Sequence, residues 1–372
     1  MNSAGRIYLD HAATTPVLPE VMTSMCEAMG KWANPNSPHS EGRAARAALE
    51  DARQRIKKAL SWDGELIFTS GATESLAIAL SRSDRPVLAS AVEHDAVFRA
   101  APAAKVIPVG ARSEVDRDAL DDGLKRNNAP LVAIQHVNSE TGIEQPIDEL
   151  TRFVREAGGC LVCDCSQSAG KVPLPDADML VVSAHKLGGP PGIGALLVRD
   201  LGMLTAVGGQ EFGYRAGTQN VPAAVGFAVA VEQFPIRLIP GGGPDAGPMA
   251  QWLHDLAHPI LDLEYPMAQA GGVYQPARGM RLSSIQAWTI PGMSAAAQLV
   301  HFDSAGIAVS AGSACSSGSL KSSRVLSAFG VSEEDARCTI RVSFGWSTSS
   351  DDISRFLETW RDIASKAQSR AA

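Results

Sequence analysis

Ser183-Ala184-His185-Lys186-Leu187-Gly188-Gly189-Pro190-Pro191-Gly192-Ile193-Gly194 follows directly on the apolar run Met179-Leu180-Val181-Val182, and its reading decides the fold. Met179 to Ser183 reads as a buried strand, a short β-branched run bounded by turn formers. The Gly/Pro cluster behind it can sustain neither helix nor central strand and must turn. A Lys at such a strand end sits at the carboxyl edge of a parallel sheet, where open α/β sheets bind ligands. Desolvation there would lower the pKa of Lys186 and make it a Schiff-base nucleophile. The alternative is a surface Lys in a Gly-rich loop.

The same strand pattern recurs outward from this turn. Strands are expected at Glu65 to Thr69, Pro86 to Ser90, Lys105 to Val109, Leu131 to His136, Cys160 to Asp164 and Ala195 to Val198, with helices at Gly42 to Leu60, Ala72 to Ser81, Asp148 to Glu156 and Pro222 to Gln233. Alternation of this kind builds βαβ units around a mainly parallel sheet. In the first helix Ala44, Ala48, Ile56 and Ala59 form the apolar stripe, and Arg43, Arg46, Glu50, Asp51, Arg53 and Arg55 read as a solvated face. The stretch Gly241 to Pro248 breaks the rhythm and places a domain boundary near it. Beyond it come a helix-like Met249 to Leu261, a strand-like Ser284 to Ile290, a helix near Ser294 to Ser304 and a closing helix from Asp351 to Ser365, the content of a smaller α+β domain. The expected division is 13–240 for the large domain and 1–12 plus 241–372 for the small one.

Composition narrows the function. Lys plus Arg total 33 against 40 for Asp plus Glu, a formal charge of −7, so there is no basic excess to neutralise a nucleic-acid backbone. The longest apolar run, around Val221 to Val231, falls short of the ~20 residues a membrane span needs. The opening residues lack a signal-peptide apolar core, and the expectation is a cytoplasmic protein. Six cysteines in 372 residues are too few for a disulfide scaffold. Cys160, Cys163 and Cys165 include a C-x-x-C, but that segment reads as a buried strand with no second ligand pair, and no metal site is expected. Cys26 and Cys338 read as packing residues.

Asp164 ends an apolar strand about twenty residues before Lys186, with no cation beside it in sequence. A carboxylate there can cap a helix, and it is also what a pyridinium nitrogen requires. Thr69-Ser70-Gly71-Ala72-Thr73-Glu74-Ser75 adds a strand, a Gly turn and a helix start, an arrangement that favours an anion. Lys, Asp and phosphate cradle together point to pyridoxal phosphate.

Further motifs occur in order: Tyr8-Leu9-Asp10-His11-Ala12-Ala13-Thr14-Thr15, Asn34-Pro35-Asn36-Ser37-Pro38-His39, Glu93-His94, His136-Val137-Asn138-Ser139-Glu140-Thr141-Gly142, Arg215-Ala216-Gly217-Thr218, Ser313-Ala314-Cys315-Ser316-Ser317-Gly318 and Arg341-Val342-Ser343-Phe344-Gly345. With the Asp164 and Lys186 segments they resemble the cysteine desulfurases, specifically the NifS/IscS-like group of the class V aminotransferase fold, over almost the whole chain. The resemblance implies a fold type I, aspartate aminotransferase-like architecture with a seven-stranded-type sheet, and a homodimer. It implies that Lys186 binds the cofactor, Asp164 pairs with its ring nitrogen and His94 stacks on the ring and shuttles protons. Gln167 and Asn138 would contact the phenolic oxygen and the substrate side. Thr73, Ser183 and His185 would hold the phosphate, with Thr218 reaching in from a second subunit. Asn34 and Arg341 would grip the carboxylate of L-cysteine, a task suited to a planar bidentate fork.

Cys315 would accept the sulfur. Ser310 to Ser319 is small-residued and polar, so the thiol is expected on an exposed, mobile loop. The implied reaction converts L-cysteine to L-alanine and leaves a persulfide for an acceptor protein, most often one that assembles iron–sulfur clusters. A selenocysteine lyase or another class V lyase would share Lys186 and Asp164 without needing Cys315; the other alternative, a cofactor-bound scaffold with decayed catalysis that serves assembly of a sulfur-transfer complex, is opposed by the joint retention of Lys186, Cys315 and Arg341. The chain departs from the resemblance at Leu76 and Ala77, at Phe212 within Gln210 to Arg215, and at Trp346.

Overall fold

The computed structural model describes residues 5–234, 260, 262–312 and 323–371. After a two-residue strand β1 (Ile7–Tyr8), seven strands make the central sheet: β2 (Glu65–Thr69), β3 (Val87–Ser90), β4 (Lys105–Ile107), β5 (Leu131–Gln135), β6 (Cys160–Asp164), β7 (Met179–Ser183) and β8 (Gly194–Val198). Their order is β2-β8-β7-β6-β5-β3-β4. β4, β3, β5, β6 and β7 run parallel, and β8 lies antiparallel between β7 and β2. The short connection through Lys186 and Gly192 joins β7 to β8 directly, which permits only antiparallel pairing. The expected strands are all present, with ends shifted by one or two residues.

Parallel strands are covered on both faces, and alternate residues go to alternate layers. Leu161 and Cys163 of β6 and Leu180 and Val182 of β7 face a layer that includes α2 (Ser40–Ala59), α5 (Arg117–Lys125), α6 (Ile147–Glu156) and α7 (Val221–Glu232). Cys160, Val162, Met179 and Val181 face the layer of α3 (Ala72–Ser81) and α4 (Asp95–Ala100). By the same parity Asp164 belongs to the α3/α4 side, where both helices begin at the carboxyl edge.

α1 (Pro19–Gly30) packs against α7, and Gly226 leaves room for Met25, whose sulfur would lie 2.8 Å from an added Cβ. Cys26 is exposed, not a packing residue, because α1 turns its Val21 side to the core. Arg53 is also buried rather than solvated. Its guanidinium donates to the fully enclosed Glu211 at 2.8 Å and lies 4.8 Å over the Phe68 ring, so a charge read as surface is an internal ion pair.

A second sheet of four antiparallel strands has the order β12-β13-β10-β9, with β9 (Val273–Gln275), β10 (Ile285–Thr289), β12 (Ser310–Ala311) and β13 (Thr339–Ser343), while β1 pairs with β11 (Ile307–Ala308). Its core is Trp288, Phe302, Phe344, Phe356 and Trp360, all buried. Phe356 and Trp360 come from the closing helix, which runs Ser350–Ala371, beyond the Ser365 end expected, because no breaker follows and Ala367 is still buried. The helix expected at Met249 to Leu261 and the Gly241 to Pro248 break lie outside the described residues, apart from Ile260. No helix among the described residues is long and apolar enough to cross a membrane.

Candidate active site

The turn that opens α3 is shaped by two glycines. Gly194 pairs with both Thr69 and Ser183. A side-chain carbon there would fall 2.6 Å from the Val182 carbonyl oxygen and 2.8 Å from Gly71 Cα, so only glycine lets the two backbones meet. Gly71 stands at φ 149°, a conformation L side chains avoid, and α3 begins without a capping side chain. An uncapped N-terminus of a ten-residue helix, with Thr73 in its first turn and Ser183 Oγ 3.9 Å from where a Gly71 Cβ would lie, is an anion site in waiting. His185 adds an imidazole beside it, its Nδ1 3.1 Å from Thr14 Oγ1. Burial, then the Lys186 charge, pulls His185 down to about 4, so it is a neutral partner at ordinary pH.

Asp164, His94 and Lys186 converge at the ends of β6, β3 and β7. Asp164 Oδ1 accepts from Ser166 N at 2.8 Å, and among the described residues Asp164 makes no ion pair. His94 caps α4, its Nδ1 accepting from Ala96 N at 3.1 Å. Its pKa is lowered chiefly by burial, with Asp164 opposing and Lys186 reinforcing, so His94 feels both charges. Lys186 also acts on Lys171, which burial brings down to about 7. Gln167 is buried; its amide donates to the Ala12 carbonyl at 2.9 Å and its Oε1 has no partner. Glu93, fully buried beside this group, is kept protonated above the usual carboxylate range by desolvation, and Asp164 adds to the effect.

Arg341 lies on β13, buried, where it donates to Asp10 Oδ1 at 2.7 Å and to the Ser139 carbonyl at 3.0 Å, leaving Nε without a partner. Its planar fork is therefore held between the Asp10 carboxylate and the loop after β5. Asn138 closes that loop: its Oδ1 accepts from Glu140 N, Thr141 N and Thr141 Oγ1, and its Nδ2 donates to the Val92 carbonyl at 3.2 Å. Asn34 is exposed and orders its own turn by accepting from Asn36 N. Asn36 donates to Gln219 at 3.2 Å, which joins that turn to exposed Thr218. Thr218, Thr69 and Arg215 line a cavity of about 190 Å³. Cys315 lies outside the described residues, and the expected loop begins later than Ser310, since Ser310 and Ala311 pair with β13.

A family model described as aminotransferase class-V matches residues 7–356. The chain belongs to that family. Cysteine desulfurase IscS of Dictyoglomus turgidum is 34% identical over 385 residues, covering 97% of this chain and 95% of its own. The IscS-like cysteine desulfurase of Mycobacterium tuberculosis is 33% identical over 392 residues, covering 98% of each. Among solved structures, a NifS-like protein from Rickettsia africae superimposes with a TM-score of 0.83 at 30% identity over 96% of this chain and 99% of that one. These relatives place the chain in the cysteine desulfurase group of the class-V family, whose members depend on pyridoxal phosphate.

The residues present fit that cofactor. The glycine-walled, uncapped α3 start suits a phosphate, the unpaired Asp164 suits a ring nitrogen, and the orphaned Gln167 amide oxygen awaits a partner. Sequence reasoning gave no role to Asp10, Glu93 or Glu140. All three stand inside the motifs Tyr8 to Thr15, Glu93-His94 and His136 to Gly142, but the partners of Asp10 and Glu140 lie far away in sequence. The Cys163 and Cys165 thiols are buried as expected, with their sulfurs 3.6 Å apart. Burial raises the Cys165 thiol, yet hydrogen bonds with Cys163 and His136 outweigh it and bring it to about 6. Of the departures, Leu76 is buried, Phe212 is half-exposed over Arg53, and Trp346 donates to the Pro16 carbonyl at 2.8 Å.

Proposed function

We propose that the chain uses pyridoxal phosphate to convert L-cysteine to L-alanine, passing the sulfur to Cys315. The observation that carries the reading is His94 held within electrostatic reach of both Asp164 and Lys186 beside an uncapped helix start, in a chain 33–34% identical to named cysteine desulfurases. Bound there, the cofactor supplies an electron sink for charge developing at the substrate α-carbon. Thr73, Ser183 and His185, with Thr218 of a second protomer, would hold its phosphate. Asp164 would keep a proton on the ring nitrogen, and Gln167 and Asn138 would flank the phenolic side.

Lys186 Nζ is the group to tether the cofactor and then to take and return a proton at the α-carbon. Lys171, a buried amine brought down to about 7, lies within electrostatic reach of Lys186. Neutral His94 can accept and release a proton at Nε2. Asn34 and Arg341 would orient the substrate carboxylate. The Cys315 thiolate attacks the substrate sulfur; an S–S bond forms, the C–S bond breaks with its electron pair left on carbon, and proton uptake gives alanine.

The domain division at 13–240 against 1–12 plus 241–372, the homodimer, a cytoplasmic setting and delivery of the persulfide to an iron–sulfur scaffold belong to the same proposal. Alanine and sulfide assays on wild type and Cys315→Ala test it. Loss of cysteine turnover with the cofactor's absorbance retained is expected; unchanged turnover in Cys315→Ala would favour a lyase that does not need this thiol.

A further inference from the structure

Arg341 carries a buried positive charge, and among the described residues the carboxylate ion-paired with it is that of Asp10, at 2.7 Å. A guanidinium enclosed in this way is costly without an opposite charge. Asp10 Oδ1 accepts from Nη2 and the Ser139 carbonyl from Nη1, while Nε is enclosed with no partner. Each terminal nitrogen bears a further N–H, so donors are left for a second carboxylate while Asp10 stays bound. Asp10 is itself fixed. It bridges Ser343, on the same strand β13 as Arg341, and Ser343 N donates to the Leu9 carbonyl at 2.9 Å. The Tyr8 hydroxyl is shared between the carbonyls of Thr14 at 2.9 Å and Asp10 at 3.1 Å, and Ala13 N donates to the Asp10 carbonyl at 3.0 Å, which closes a turn over residues 10–14. The far side of that turn meets the cofactor group. The Ala12 carbonyl accepts from Gln167 Nε2 at 2.9 Å, and Thr15 N donates to the His185 carbonyl at 2.8 Å. One braced turn therefore runs from Arg341 to two residues proposed to hold the cofactor.

We propose that Asp10 is a positioning residue that sets the site's preference for amines bearing an α-carboxylate, by holding the Arg341 fork at a fixed place relative to the cofactor. The proposal rests on Arg341 being the substrate-carboxylate group. A long side chain already held by a charge-assisted hydrogen bond and a carbonyl loses less freedom when the substrate arrives, so more of the new pair's energy appears as affinity. Asp10 also neutralises the buried guanidinium in the empty site. The substrate carboxylate then adds hydrogen bonds to a preset fork and is not required as its sole counter-charge. An amine without a carboxylate does not call on the fork, and its binding is indifferent to Asp10.

The test uses the full, cofactor-loaded chain as wild type, Asp10→Ala, Asp10→Asn, Arg341→Lys and the Asp10→Ala/Arg341→Lys double variant. Dissociation constants for L-alanine and for L-alaninamide, which keeps the amine and lacks the carboxylate, are read from the absorbance of the bound cofactor, beside KM and kcat for L-cysteine. Losing a hydrogen bond between charged groups should weaken L-alanine binding and raise KM about tenfold in Asp10→Ala, with kcat and the L-alaninamide constant as in wild type. Asp10→Asn keeps an acceptor without the charge, and a neutral bond is about half as strong, so its loss should be about threefold. The double variant should bind L-alanine no more weakly than Arg341→Lys, because both residues act through one fork. Unchanged or tighter L-alanine binding in the Asp10 variants beside weakened binding in Arg341→Lys would overturn the proposal alone, as would an equal loss for L-alaninamide or additive losses in the double variant. Should Asp10→Ala not fold, Asp10→Asn decides by the same comparison. L-Alanine binding unchanged in Arg341→Lys would overturn the reading of Arg341 and this proposal with it. The two amine constants need no sulfur transfer, so a wild type that does not turn over L-cysteine defeats the functional reading and leaves this comparison standing.

Discussion

Replacing Gly194 with alanine tests the phosphate cradle by pure collision. Gly194 sits between β2 and β7, opposite Thr69 and Ser183. The new carbon would stand 2.6 Å from Val182 O, 2.8 Å from Gly71 Cα and 3.1 Å from Gly71 C, all backbone atoms that cannot rotate away. Relief requires several tenths of an ångström of strand separation or a displaced Gly71 turn. Overpacking of this kind costs about 3 kcal/mol, the upper part of its usual range. The displaced turn moves the α3 start, and losing even one good anion contact raises the cofactor dissociation constant about tenfold, equivalent to about 1.4 kcal/mol. Denaturant unfolding of the apo-protein reads the first quantity, and titration with pyridoxal phosphate reads the second. Gly192→Ala is the control: nothing lies within 4 Å of its added carbon, but φ is 80°. It should cost about 1 kcal/mol of stability from strain alone and leave cofactor affinity unchanged. A Gly194→Ala protein matching wild type in both measurements would refute the cradle.

Further outcomes follow from the same geometry. Asp164→Asn removes the charge that would hold a proton on the ring nitrogen, and kcat should fall by about two orders of magnitude or more while the protein still binds cofactor, read by steady-state alanine formation. Arg341→Lys loses the planar fork that spans Asp10 and Ser139, and KM for L-cysteine should rise about tenfold or more with kcat less affected. The share of stability that rests on neutral His11 and His185 should decline as pH falls below about 6.5, read as the difference between wild type and a variant lacking both imidazoles. Burial holds His11 down to about 3 and His185 down to about 4, so the unfolded chain takes those protons first. The stabilisation is fully present above pH 6.5 and is lost through the acid range, which unfolding midpoints from pH 7 to pH 4 would show.

The sheet was legible because each strand announced itself as a short β-branched run ending in a polar or turn residue. Thr69, Asp164 and Ser183 mark strand ends in the sequence and in the fold. β8's antiparallel direction was not, since alternation says nothing of sense once the connection is a loop. Arg53 misled because its helix position matches a charged face, and its partner Glu211 is 158 residues away. α1 went unnoticed because it buries only Val21 fully and carries little periodic signal. At the site, Lys186, Asp164 and the α3 turn are local motifs and could be read directly. The Asp10–Arg341 pair spans 331 residues and the Glu140–Ser323 contact 183, so tertiary folding alone brings them together.

The most direct measurement is the mass of the Cys315 peptide after the loaded enzyme meets L-cysteine, in wild type and in Lys186→Ala. The account predicts a gain of one sulfur atom on Cys315 in wild type, with stoichiometric alanine, and no gain in Lys186→Ala. Alanine formed by wild type with Cys315 never modified, or sulfur gained equally without Lys186, would contradict it.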